Sequence, residues 1–366
     1  MSTTARFPNM DALRGIAAMA VLFHHLVIEL AMPIGDATNL AVRILTFSGR
    51  GGTLGVLFFF LLSGYLITYR MLKERERTGA LDLGRFYLRR ILRIWPLYYV
   101  TLVLGFLVLP AIMRGLGQPF TESSSPLLFT LFMANYDILW NSPPSLGMLG
   151  VHWSVCVEEQ FYLIWPLLFL LVGRRLAFCA IVAVVVVASE VFVVKGSHHE
   201  AYFHLFGNLR YLGLGALLAV LVVERGAWIR ALLARVAPLF HSVALVLGAL
   251  VLFGIHTWAF DYPARMAVAH VATLCTFCYV LLQQSQGDGR SLQLDRIPAL
   301  RWLGERSYGI YLLHMLALEI ARGLFHNDPE YFVPTACTTV ALTVVLAHFS
   351  YRYLESPFLR LKTRFT

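Results

Sequence analysis

The chain has 366 residues, of which 58% are hydrophobic and only 14% charged. A soluble domain carries close to a quarter charged residues, so this composition excludes an ordinary soluble fold and points to a polytopic helical membrane protein. The formal charge of +9 is what Lys and Arg gathered in cytoplasmic loops produce, and it gives no reason to invoke nucleic acid.

Apolar runs at 12–32, 53–71, 94–113, 152–172, 175–194, 205–223, 237–256, 264–283, 305–325 and 333–354 have the length of bilayer-spanning helices. An eleventh run, 126–140, is shorter and contains Asn135 and Asp137, as a buried or re-entrant segment would. Basic clusters decide the topology. The loop after the second run holds Arg70, Lys73, Arg75, Arg77, Arg85, Arg89, Arg90 and Arg93. Arg174 and Arg175 follow, then Arg225, Arg230 and Arg235, then Arg290, Arg296, Arg301 and Arg306, and a tail with Arg360, Lys362 and Arg364. Ten spans, with 126–140 not crossing, put every cluster and both termini on the cytoplasmic side. The expected fold is an all-α polytopic transmembrane bundle, with ten spans plus one non-crossing segment, forming a single domain over 1–366. The first run does not read as a cleaved signal peptide, because His24 and His25 interrupt it and no small-x-small site ends it. Cys275 and Cys278 form a CxxC on one apolar helix with no second ligand pair nearby, which fits packing better than zinc.

Ionisable groups at membrane depth are functional candidates by default. The first run opens DALRGIAAMAVLFHH. Arg14 and His25 are eleven residues apart, three helical turns plus about 20°, and share a face, whereas His24 lies about 80° away. His25 is therefore either a packing residue or a working one. In the second run Ser63 and Gly64 either let helices approach closely or edge a substrate channel. In DLGRFYLRRILRIWPLYY, Arg89, Arg90 and Arg93 either anchor to headgroups with Trp95, Tyr98 and Tyr99 or hold the phosphates of a cytosolic cofactor.

The fourth span reads HWSVCVEEQFYLIWP, with Glu158 and Glu159 adjacent. Counted from an outer boundary at His152 the pair lies ~9–11 Å down, and counted from an inner boundary near Ala12 His25 lies ~20 Å up a ~30 Å core. These levels coincide and suggest a His–carboxylate pair, in which the carboxylate orients a general-base imidazole. Glu190 and Arg210 lie near outer ends of spans and face headgroups or a channel. His314, with Tyr308 and Tyr311, is either structural or lines a cavity. Glu355 is read as paired with Arg352 or a loop arginine. HExxH, P-loop and GxSxG signatures are missing.

Taken in order, DALRGIAAMAVLFHH, FFFLLSGYLI, FYLRRILRIWPLYY, HWSVCVEEQFYLIWPL, SYGIYLLH and YRYLESPF resemble acyltransferase family 3, the integral-membrane O-acyltransferases, over about residues 8–360. Val155 stands where the family commonly has Leu. The resemblance implies transfer of an acyl group, commonly acetyl, from cytosolic acyl-CoA to a hydroxyl, with no metal, in a bacterial cytoplasmic (inner) membrane. The implied acceptors are sugars of surface polysaccharide, lipopolysaccharide or lipid-linked precursors, or else macrolides and other small molecules. An extracytoplasmic esterase-like domain that some relatives carry is not expected here. His25 matches the family's essential His and Arg14 its paired basic residue. Arg89, Arg90 and Arg93 match its basic motif, and Glu158 and Glu159 its Trp-Ser…Glu-Phe-Tyr segment. The expected site thus comprises catalytic His25, Arg14, Glu158 and Glu159, donor-binding Arg89, Arg90 and Arg93, and a channel edged by Ser63, Trp153, Ser154, Tyr162, Arg210 and His314. General-base catalysis by His25 and a covalent acyl-His25 or acyl-Ser63 route both stay open. A glycan or lipid transporter is the rival class. The intramembrane charges support it, and the absence of visible inverted halves opposes it.

Overall fold

The computed structural model describes residues 9–31, 52–117, 120–259, 263–287, 293–325 and 329–362. Arg290 and Arg364 of the sequence reading lie outside them. Among the described residues all regular structure is helical.

Helix α1 (Met10–Ala31) starts at Asn9, whose positive φ of 68° turns the chain into the bundle. The Asn9 side chain fixes this start by donating to Gln284 O and accepting from the Asp295 N–H. Helix α2 (Thr53–Thr78) ends where Gly79, at φ 78°, donates its N–H back to Arg75 O. Glycine takes this left-handed cap without the Cβ penalty. Helix α3 (Leu83–Val103) starts at Asp82, whose carboxylate accepts the Arg85 N–H. It runs on through a π turn (Leu104–Val108) into α4 (Leu109–Gly115), making one rod from Leu83 to Gly115. The basic amphipathic segment is therefore the first part of a spanning helix.

The 126–140 segment breaks at Phe132, which sits at φ 57°. It forms α5 (Pro126–Thr130) and α6 (Ala134–Trp140), both far too short to cross a bilayer. Its polar residues tie it down. Asp137 accepts from the Ser125 N–H and Asn141 Nδ2, and Asn135 Nδ2 donates to Phe203 O. The short α7 (Gly147–Gly150) leads into α8 (His152–Val172). Then come α9 (Arg175–Lys195), α10 (His198–Phe203), α11 (Leu205–Ala234), α12 (Pro238–Ala259), α13 (Pro263–Gln286), α14 (Pro298–Glu305) and α15 (Ser307–Leu324). Last is α16 (Phe332–Phe349), continuing through a π turn (Ser350–Glu355) into α17 (Ser356–Lys362).

Eight of these helices are long and apolar enough to cross a membrane: α1, α2, α3–α4, α7–α8, α9, α11, α13 and α16–α17. The expected spans at 237–256 and 305–325 fall on α12 and α15, which do not reach that measure among the described residues. α15 has 18 residues and carries Glu319 and Arg322 near its end.

Helix α2 is the most buried of the eight and packs between α1 and α11. Two glycines set its crossing with α11. A Cβ on Gly64 would fall 1.9 Å from Leu212 O, and one on Gly215 2.1 Å from Leu61 O. This is the close backbone approach that small residues allow in membrane bundles. α15 packs on α16 and α1, and the short α14 lies against the start of α1. The consequence is an interior space walled by α1, α2, α3, α8 and α15.

Candidate active site

That space is a narrow cavity of about 60 Å³. Its polar walls are Arg14 from α1, Arg90 and Arg93 from α3, Ser154, Glu158 and Tyr162 from α8, and Ser307, Tyr308 and Tyr311 from α15. A larger cavity of about 420 Å³ lies between α1, α2, α12 and α13, but no ionisable group lines it, so it offers no chemistry.

The arginines dominate the smaller cavity. The Nε atoms of Arg14 and Arg90 are buried without a hydrogen-bond partner, and neither residue nor Arg93 has an ion pair among the described residues. Arg70 of α2 lies within electrostatic reach of all three. The Arg90 guanidinium stacks 5.7 Å from the Tyr162 ring centroid. Such a cluster of mutually repelling cations in a low-dielectric interior calls for an anion. Arg89 does not join it: its guanidinium bonds Glu74 at 2.8 Å, away from the cavity walls.

Glu158 faces the same cluster. Its two oxygens accept from Ser63 Oγ (2.8 Å) and Tyr162 OH (2.8 Å), while Tyr162 OH also lies 3.0 Å from Ser63 Oγ. Glu159 accepts from Trp95 Nε1 at 3.1 Å. Neither carboxylate bonds His25, which corrects the expected His–carboxylate pair. The reason is depth. His152 is not at an outer boundary: it is fully buried beneath the folded-in 126–150 segment and bonds Thr101 at 2.8 Å. Glu158 and Glu159 therefore sit deeper than a count from His152 implies, at the level of the Arg14 side chain.

His25 is half-buried, and its partner is another histidine. His25 Nδ1 lies 3.0 Å from His314 Nε2, and the rings are 5.0 Å apart. His314 is fully buried, with Nδ1 2.7 Å from Tyr311 O. Tyr311 lines the cavity, and its hydroxyl lies 2.6 Å from Ser154 Oγ. The cavity and the His pair are thus linked through one turn of α15. His24 points elsewhere, as its phase requires.

Two expected channel residues lie outside the site. Trp153 is packed among Phe60, Tyr202 and Phe203. Arg210 is neither in the channel nor facing headgroups: it is buried, bonded to Glu190 (3.2 Å) and His270 (3.3 Å), with Tyr211 beneath it. Ser63 does not line the cavity; it neighbours the tight helix crossing at Gly64 and donates to Glu158. Glu355 accepts from Ser350 Oγ and lies within electrostatic reach of Arg93 and Arg306, whereas Arg352 stacks on Tyr353. Arg70 entered the sequence reading only as a loop charge. The signal was there: it follows Ser63 by seven residues, about 20° short of two full turns, and so shares its face.

A family model described as an acyltransferase domain, Acyl_transf_3, matches residues 7–348. The chain belongs to acyltransferase family 3. Proteins similar to it include the peptidoglycan O-acetyltransferase OatA of Listeria monocytogenes, 26% identical over 98% of this chain and 57% of the relative. A Bacillus subtilis protein named "Putative peptidoglycan O-acetyltransferase YrhL" is 27% identical over 96% of this chain and 54% of its own length. A Staphylococcus aureus (strain COL) protein named "Putative O-acetyltransferase" is 26% identical over 96% and 57%. The chain spans little more than half the length of these curated relatives. No solved structure matches it.

Proposed function

We propose that this chain is a membrane O-acetyltransferase that moves an acetyl group from cytosolic acetyl-CoA to a sugar hydroxyl of a cell-envelope glycan, of which peptidoglycan is the first candidate. The unpaired arginines carry this reading. Arg14 and Arg90 keep buried, unsatisfied Nε–H groups in the walls of one cavity, Arg93 lines it beside them, and planar guanidinium donors suit phosphate oxygens. A pyrophosphate-bearing donor supplies the missing anion. Glu158, held by Ser63 and Tyr162, limits the net charge of the cluster and keeps Arg14 and Arg93 aimed inward.

Arg14 and His25 share one face of α1, ~16 Å apart along its axis, a length that a pantetheine arm can span. His25 then acts as general base on the acceptor hydroxyl, a role that typically gives ~10²–10⁴-fold. In this proposal the bundle sits in a bacterial cytoplasmic membrane with ten spans. Both termini and the arginine mouth face the cytosol, following the Lys/Arg bias.

The test is the mass of envelope glycans from cells lacking the protein, complemented with wild type or with His25→Ala. Wild type should restore one acetyl mass per modified sugar, and His25→Ala should restore none while reaching the membrane at normal level. Loss or build-up of whole glycan in place of a mass shift would move the protein to the transporter class.

A further inference from the structure

We propose, building on the reading of His25 as general base, that His314 is its positioning residue and fills the place a carboxylate was expected to take. Two backbone carbonyls on different helices fix the protons. His314 Nδ1 lies 2.7 Å from Tyr311 O and 3.2 Å from Ile310 O. A carbonyl only accepts, so Nδ1 carries the hydrogen, and in a neutral imidazole Nε2 is then an acceptor. That acceptor is 3.0 Å from His25 Nδ1, which also lies 3.1 Å from Val21 O. Both neighbours of His25 Nδ1 demand a donor. The hydrogen of His25 therefore sits on Nδ1, and Nε2 holds the free lone pair.

This is the tautomer that a general base needs. As the acceptor oxygen attacks the thioester carbonyl carbon, the hydroxyl proton passes to His25 Nε2. When the C–S bond breaks, the proton moves to the leaving sulfur. The products are an ester and a free thiol, and His25 returns neutral. While His25 is cationic, its Nδ1–H bonds the His314 lone pair more strongly, since hydrogen bonds from charged donors are about twice as strong as neutral ones. A neutral partner suits this depth. A carboxylate beside His25 would be a second buried charge to desolvate whenever His25 is neutral. His314 itself is held by burial and by the carbonyl of Tyr311 on the cavity wall, so the position of His25 Nε2 is coupled to the cavity.

His314→Gln and His314→Asn separate this role from a structural one. A glutamine Oε1 can reach the place of Nε2 and accept from His25, whereas an asparagine amide stops near the place of Nδ1. Acetyl transfer to endogenous glycan should keep kcat within about tenfold in His314→Gln and fall on the order of 100-fold in His314→Asn, a part of the total worth of a general base. KM for acetyl-CoA should stay within about twofold in both, because the arginines are untouched. Equal kcat in the two variants, or a loss expressed in KM, would overturn the proposal. His25→Ala keeps the two readings apart. If it retains activity the base assignment fails, and if it is inactive while Gln and Asn behave alike only the positioning role fails.

Discussion

Arg89 and Arg93 lie one helical turn apart and carry the same charge, yet only Arg93 reaches the cavity. Helical phase separates them by only about 40°, so the sequence motif groups them. What parts them is Glu74 on α2, which takes the Arg89 guanidinium. No periodicity reveals a partner fifteen residues away on another helix. The same limit hid the partner of His25. The spacing to Arg14 singled out His25 by face, but His314 lies 289 residues away, and a nearby carboxylate was the simpler expectation. The distinction is measurable. A hydrogen bond to a charged group is worth roughly 1.5–3 kcal/mol, so Arg93→Gln should raise KM for acetyl-CoA by about 10- to 100-fold. Arg89→Gln should leave KM within about twofold. Steady-state kinetics on membranes decides it, and equal effects of the two substitutions would return Arg89 to the donor site.

At the scale of the element, hydropathy located every helix that builds the cavity, because each buries an apolar stripe long enough to be read. Where the reading failed, an end was in question. The α3 rod starts at Leu83, eleven residues before the apolar run, since its first turns are basic and amphipathic. α8 begins inside the protein because α5 to α7 fold over it, and this shifted the Glu pair downward. The non-crossing nature of 126–140 was legible in its length and in Asn135 and Asp137. Gln160 confirms the attachment by donating to Phe132 O and Asn135 Oδ1, both at 2.8 Å. The α2–α11 crossing carries the sharpest element-level expectation. Gly64→Val puts a branched side chain where a Cβ alone would overlap Leu212 O. Overpacking costs typically about 1–3 kcal/mol, and here it also moves Ser63 off Glu158. Thermal unfolding in detergent should show the loss, and a Gly64→Val protein as stable as wild type would refute the interlock.

For the whole molecule, the organisation is a cluster of arginines around a narrow cavity at one level of α1 and the His25–His314 pair at another, linked through one turn of α15. Composition showed the membrane class, and charge bias suggested which side each cluster faces. Neither could show that four helices besides α1 close around the same space, because that depends on helix–helix crossings set by glycine contacts and buried polar bonds. Under the proposed function the reaction is sided: donor from the face carrying Arg90 and Arg93, base about 16 Å further along α1. The most direct measurement uses membrane vesicles from cells making the protein, supplied with radiolabelled acetyl-CoA, which does not cross the bilayer. Inverted vesicles, exposing the cytoplasmic face, should transfer label to vesicle-bound glycan, and the same vesicles with His25→Ala should transfer none. Label entering only from right-side-out vesicles, or undiminished transfer by His25→Ala, would contradict the account.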